Sequence, residues 1–282
     1  MAVKDILLAL TTYPEPTPMS AVDDAVGIAA ALGAKISAVA CAITFNAPHN
    51  MLSDALIDIP AMAAAETGKS AANAASLLKA FQAGAEKRGV FQDCILEHGL
   101  TMAVPDVLVD YARLRDLTIV PLAEGDHIDH WFAESIIFGS GRPTLLLPQT
   151  RQKPGVFALD SAVVAWDFSR PAARAVADAL PLLAAAKKVY VVTVTNEKII
   201  DTKRSGAELA KHLARHGVEV VLDAVDAGGK AIGEVLEGYA ATRKADLLVM
   251  GAFGHSRLRD FVMGGATKSV LARATLPVLL SH

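Results

Sequence analysis

One stretch of this 282-residue chain gathers residue types that could do chemistry. It reads Val249-Met250-Gly251-Ala252-Phe253-Gly254-His255-Ser256-Arg257, continues to Met263, and then runs Gly264-Gly265-Ala266-Thr267-Lys268-Ser269. Gly251 and Gly254 follow a short apolar run. Gly264 and Gly265 open an amphipathic segment, Lys268–Arg273. Glycine lets the main chain come close to phosphate oxygens in conformations a Cβ would forbid. Free N–H groups and the dipole at a helix start favour an anion. The Thr267 hydroxyl can cap that helix or donate to a phosphate. Lys268 or Arg257 could add charge to the loop, though each reads better as a solvated surface residue, and His255 reads as a phosphate contact or a rim residue. The chemistry on offer is anion recognition, because no base, nucleophile or set of metal ligands accompanies the loop.

Other motifs carry less. Gly68-Lys69-Ser70 looks like the end of a phosphate loop, but Ala63 stands where that motif needs Gly. Ser140, Ser161, Ser169 and Ser269 lack the glycine frame of a nucleophile elbow. Asp126-His127-Ile128-Asp129-His130 has metal-ligand residue types, yet reads better as a solvated turn. Cys41 and Cys94 sit in apolar runs without ligand spacing and read as buried free thiols.

Short apolar runs alternate with amphipathic stretches along the chain. The runs are Ile6–Leu10, Ile36–Cys41, Asp93–Glu97, Leu117–Val120 and Thr144–Leu147, then Ala162–Trp166, Val189–Val194, Glu219–Ala224, Leu247–Met250 and Val278–Leu280. They are rich in Val, Ile and Leu without strict alternation, as in strands covered on both faces. Helical patterns lie between them at Ala21–Leu32, Ser70–Arg88, Pro171–Ala185 and Ser205–His216. Strand–helix alternation predicts βαβ units and a mostly parallel sheet.

The order repeats. Asp116–Val120 echoes Ala245–Val249, and Glu86-Lys87-Arg88-Gly89-Val90 echoes Ala214-Arg215-His216-Gly217-Val218. Gly141-Arg142-Pro143-Thr144-Leu145-Leu146-Leu147 echoes Thr275-Leu276-Pro277-Val278-Leu279-Leu280. The expectation is two doubly wound α/β domains, 1–149 and 158–282, each with a mostly parallel five-stranded sheet and helices on both faces. The polar segment Gln149–Phe157, broken by Pro154-Gly155, links them. Phe45–Gly68 is an insertion expected to form a loop with short helical turns.

Composition narrows the classes. Hydrophobic residues make up 52% and charged residues 20%, with a net charge of −3, so there is apolar material for cores and no basic surface for nucleic acid. The longest uncharged apolar stretches are about five to eight residues, short of a membrane span. With two cysteines and no signal-peptide pattern before the first strand, the expected compartment is the cytoplasm.

The spacing Gly251-x2-Gly254-x9-Gly264, followed by Gly265-Ala266-Thr267 and a closing Leu276-Pro277-Val278-Leu279-Leu280, resembles the universal stress protein family. The resemblance implies an adenine-nucleotide α-hydrolase-like fold and, in nucleotide-binding members, a loop holding the ribose and phosphates of ATP. The family pattern often has Ser or Thr directly after the third glycine, where this chain has Gly265. That change keeps a backbone N–H and removes one hydroxyl donor.

By the same resemblance, Asp167 at the end of the first strand of the second half faces the adenosine. Capping of the following helix by Asp167 or Ser169 is the other reading. Main chain near Val194 meets the adenine edge, with Val192 and Ala165 lining the base pocket. Met250, Gly251, Gly254, Gly264, Gly265, Ala266 and Thr267 complete the implied site. ATP would arrive with Mg²⁺ held mainly by its own phosphates.

The first half fails the same test. Thr11 aligns with Asp167, and Pro121-Leu122-Ala123-Glu124-Gly125 aligns with Met250-Gly251-Ala252-Phe253-Gly254. His130-Trp131 falls on Gly264-Gly265 and Ala133 on Thr267. Pro121 lacks a donor, Glu124 brings negative charge, and Trp131 is expected to fill the site. Gly139-Ser140-Gly141-Arg142 reads as a helix-end turn.

The expected function is therefore a stress-response or signalling protein that binds ATP in its second half only. A slow ATPase and an interaction protein with a vestigial loop are the alternatives. The last strands of the two halves are expected to pair as an internal pseudo-dimer, and further homodimerisation and an unidentified protein partner stay open.

Overall fold

All ten apolar runs are strands. The computed structural model describes residues 2–46, 58–149, 157–195, 202–252, 254–255, 262–263 and 265–282. The first half comprises β1 (Asp5–Leu10), α1 (Met19–Leu32), β2 (Lys35–Ile43), α2 (Ile59–Lys87), β3 (Phe91–Gly99), α3 (Val104–Arg113), β4 (Leu117–Leu122), α4 (His127–Gly139) and β5 (Thr144–Pro148). The second comprises β6 (Ser161–Ala165), α5 (Arg170–Ala185), β7 (Lys188–Thr195), α6 (Thr202–Arg215), β8 (Val220–Asp226), α7 (Ile232–Thr242), β9 (Leu247–Gly251), β10 (Gly254–His255), β11 (Val262–Met263), α8 (Gly265–Arg273) and β12 (Val278–Ser281).

The strands form one ten-stranded sheet in the order β3-β2-β1-β4-β5-β12-β9-β6-β7-β8. Each half contributes five parallel strands, and the single antiparallel step joins β5 to β12. Leu145 pairs with Leu279, flanked by Leu146 with Val278 and Thr144 with Leu280. That register maps onto itself when the halves are exchanged, so a pseudo-twofold passes between the two leucines. The expected internal pairing of last strands is thus present, and it merges the two sheets into one.

Alternation along the strands sends residues to two cores. Ile6, Leu8, Leu117, Ile119, Val164, Leu247 and Leu279 point to the face covered by α1, α2, α5 and α6. Leu7, Val120, Leu146, Val163, Leu248 and Leu280 point to the face covered by α3, α4, α7 and α8. The central strands are buried on both faces, which suits near-continuous apolar runs. At the rims, β3 and β8 alternate between half-buried and exposed positions, so the expectation of two-faced burial does not hold there.

The repeat extends to local stops and starts. Gly89 (φ +70°) and Gly217 (φ +78°) end α2 and α6 in the left-handed region that only glycine enters cheaply. The next residue then folds back in each half: Val90 N–H donates to Ala85 C=O and Val218 N–H to Leu213 C=O. The Asp116 carboxylate accepts the N–H groups of Lys4 and Asp5, and Asp246 does the same for Asp160 and Ser161.

Two expectations are corrected here. Within the insertion, α2 begins at Ile59, not near Ser70: Asp58 accepts from Ala61 N–H, Pro60 occupies the first turn, and the Ala-rich run that follows is a good helix former. Asp126–His130 is not a solvated turn but the cap and first turn of α4, with Asp126 accepting from Ile128 and Asp129 N–H. Gly139–Arg142 is the helix-end turn expected, with Gly141 at φ +68°.

Candidate functional site

In an open α/β sheet, ligands bind beyond the C-terminal strand ends where the strand order reverses. In the second half that place lies between β6 and β9. Asp167 lies two residues past the end of β6. Its Oδ1 accepts from Ser169 N–H at 3.0 Å, while Ser169 Oγ accepts from Ala172 N–H at 3.2 Å and caps α5. The helix cap is therefore Ser169, and Asp167 braces it from the strand end. Between them Phe168 adopts φ +60° and is 68% exposed.

On the other wall, Gly251 ends β9 and pairs with Ser281. A Cβ on Gly251 would lie 2.5 Å from Ala172 N and from Pro171 C. The glycine lets the start of α5 close onto the end of β9, so its first duty is backbone packing. Gly254 and His255 (β10) pair antiparallel with Val262 and Met263 (β11), a small ribbon between β9 and α8. Gly265 starts α8, exposed, and a Cβ there would meet nothing within 4 Å. Gly264 and Arg257 lie outside the described residues.

The remaining expected residues are more enclosed. Met250 is 4% exposed and packs in the core, so only its main chain faces the strand end. Ala266 is half-buried against the same core, and Thr267 is 1% exposed in the first turn of α8. Trp166 N–H donates to Val192 C=O at 2.9 Å, which sets the half-buried Val194 level with Asp167. The structure thus brings Asp167, Val194, Gly251 and the start of α8 to one end of the sheet. It leaves the Met250 and Thr267 side chains inside.

The first half places a different arrangement at its own reversal point, between β1 and β4. Sheet register equates Leu117 with Leu247 and Ile6 with Ala162. Thr11 therefore matches Asp167 as expected, but Pro121 matches Gly251 and Glu124 matches Gly254, one residue away from the sequence alignment. Glu124 is exposed, and Trp131 is half-buried with its ring 5.7 Å from that of Phe132. The side chain that enters the crevice is Asp129. Its Oδ1 accepts from Thr11 Oγ1 at 2.6 Å and its Oδ2 from Ala123 N–H and Gln149 Nε2, both at 3.0 Å. Burial pushes its carboxyl up to about 6, partly offset by the hydrogen bonds from Thr11 and Ala123. Sequence alone assigns Asp129 to a solvated turn and Gln149 to the linker; the available signal was Asp126 ahead of a helical pattern, which makes Asp129 a first-turn residue.

Beside it, Thr12 Oγ1 lies 2.6 Å from Cys41 O and 2.9 Å from Ser70 Oγ, which accepts from Ile43 N–H. The position over the end of β2, which matches that of Val194 over the end of β7 in the second half, is closed by these groups. Cys41 is a buried free thiol, as expected, with its pKa pushed up to about 12 by burial, whereas Cys94 is only half-buried. Among the described residues no helix is long and apolar enough to cross a membrane.

The universal stress protein family model matches residues 159–282. A universal stress protein of Synechocystis sp. is 46% identical over 46 residues, a match spanning 16% of this chain and 16% of that relative's length. The crystal structure of a universal stress protein from Archaeoglobus fulgidus DSM 4304 superposes with a TM-score of 0.73 at 15% identity, covering 98% of this chain and 95% of that one. A candidate universal stress protein from Pseudomonas aeruginosa UCBPP-PA14 gives a TM-score of 0.58 at 14% identity, covering 99% and 93%. Residues 159–282 thus carry the universal stress protein domain, and the fold of the whole chain is the one seen in the universal stress protein structures.

Proposed function

We propose that the second half binds one ATP in the crevice beyond β6 and β9, and that the chain acts as a nucleotide-responsive stress or signalling protein of the cytoplasm. The observation that carries this reading is the pairing, at one strand-order reversal, of Asp167 with the bare glycine start of α8. The N–H groups in the first turn of α8 suit phosphate oxygens, and the open space at the exposed Gly265 leaves room for them. Asp167 suits a ribose hydroxyl, Val194 and its neighbours suit the base, and the segment from Gly251 through Gly264 to Thr267 would wrap the phosphates. Mg²⁺ would enter on the triphosphate. The first half takes no nucleotide on this reading, since its own side chains fill the matching space. Binding would bias the surface shown to a partner.

Equilibrium dialysis of the full chain against Mg-ATP at micromolar to millimolar concentration tests this. The expected uptake is one nucleotide per chain, and absence of uptake overturns the proposal. Gly265→Ser restores a hydroxyl at an open position and is expected to tighten binding about tenfold, the effect of one added hydrogen bond to a charged group.

A further inference from the structure

We propose that Asp129 is a built-in ligand, its carboxylate seated in the oxyanion position of the crevice between β1 and β4, so that the first half is a self-occupied binding site. Three donors converge on this carboxylate from three strand ends: Thr11 after β1, Ala123 after β4 and Gln149 after β5. Convergent donors from separate segments, one of them a main-chain N–H, are how proteins hold small oxyanions. Here the chain supplies the anion itself, and Asp129 is 2% exposed.

The helices show how it arrives. Both α4 and α8 end five residues before their paired strands, at Gly139 before Thr144 and at Arg273 before Val278. Yet α4 has 13 residues and α8 has 9, so the four extra residues lie at the start of α4. That added turn, His127–His130, carries Asp129 over the ends of β1 and β4. The half without the turn has a carboxylate, Asp167, where this half has the donor Thr11. The two halves thus differ in polarity at the same point: the first sets donors around a carboxylate it already holds, and the second sets the carboxylate of Asp167 there. This inference concerns the first half alone and does not depend on nucleotide binding by the second.

If the cradle is an oxyanion site, emptying it should let a small free anion take the place of the side chain. The experiment compares thermal unfolding of the full-length wild type, Asp129→Ala and Leu108→Ala in sodium formate against sodium chloride at equal ionic strength. Leu108→Ala leaves an apolar cavity in the same half. The expected result is a formate-dependent rise in the melting temperature of Asp129→Ala, about 2–4 °C above any rise in the other two proteins. Equal formate responses in all three overturn the proposal. Should Asp129→Ala fold only in formate, that supports it. Should it fold in neither salt, Asp129→Asn decides: a lower melting temperature without formate response is expected, because the amide fills the space but presents donors to donors. A melting temperature equal to that of the wild type overturns it.

Discussion

One buried carboxylate in the first half and two glycines in the second set how the strand ends respond to pH and to substitution. Asp129 holds its proton to about pH 6 because burial outweighs its hydrogen bonds, with nearby Asp126 adding to the effect. An unfolded aspartate titrates near 3.9. Between about pH 4 and 6 the folded state therefore binds a proton that the unfolded state does not. Its contribution to stability is full below about pH 4 and is lost as pH rises through 6, by roughly 3 kcal/mol. Carboxyl ¹³C titration should show one aspartate with a midpoint near 6; a set of midpoints all at or below 4 contradicts this. The two glycines separate cleanly in a second measurement. Gly251→Ala drives a methyl into the main chain of Pro171 and Ala172 and should cost about 1–3 kcal/mol in urea unfolding. Gly265→Ala meets open space at a helix start and should be neutral or stabilising by up to about 1 kcal/mol. Sequence alone ranks these glycines alike, since both sit in one motif; only the approach of α5 distinguishes them.

At the level of elements, the repeated Asp116 and Asp246 clips carry a prediction of their own. Each carboxylate gathers two N–H groups at the start of the neighbouring strand. Asp116→Ala and Asp246→Ala should each cost about 1–3 kcal/mol, the range for hydrogen bonds to a charged group, and the double variant should cost their sum because the sites are remote. Denaturant midpoints with unchanged slope would bear this out, and a double variant no worse than either single one would not. These aspartates also explain a misreading. Matching Val120 to Val249 places the second half one residue out of step, which in a strand sends every side chain to the opposite face. Matching Asp116 to Asp246 gives the register of the sheet. The strands were legible because burial on two faces leaves unbroken Val, Ile and Leu runs. The start of α4 was not, because Asp126–His130 has the polar composition of a turn and reveals its helical role only when Asp126 is recognised as a cap. Asp129 is polar yet buried, an exception that composition hides and that only its partners at three strand ends explain.

For the whole molecule, the seam between β5 and β12 is the feature that composition left least constrained and that the repeat suggested. Leu145 and Leu279 face each other across the pseudo-twofold, both fully buried on the side covered by α1, α2, α5 and α6. Below the seam, His282 Nδ1 lies 3.1 Å from Ala252 O, and its ring stands edge-on to Phe138 at 5.0 Å, so the last residue of the second half rests on α4 of the first. Neither β5 nor β12 is then a free edge, and the strands left to face other chains are β3 and β8. A sheet shared in this way should make the halves unfold together. Leu279→Glu places a carboxylate without a partner in the core at the axis, at a cost of more than about 4 kcal/mol, and should split a single cooperative transition into two or abolish folding of the second half. Phe138→Ala removes only the outer contact and should lower stability while keeping one transition. Tryptophan fluorescence in Trp131→Phe and Trp166→Phe backgrounds, each of which keeps one tryptophan, follows the second and the first half in turn. Coincident curves for the wild type and Phe138→Ala, with divergent ones for Leu279→Glu, are expected; two transitions already present in the wild type would mean that the seam joins the sheets in space without coupling their stability.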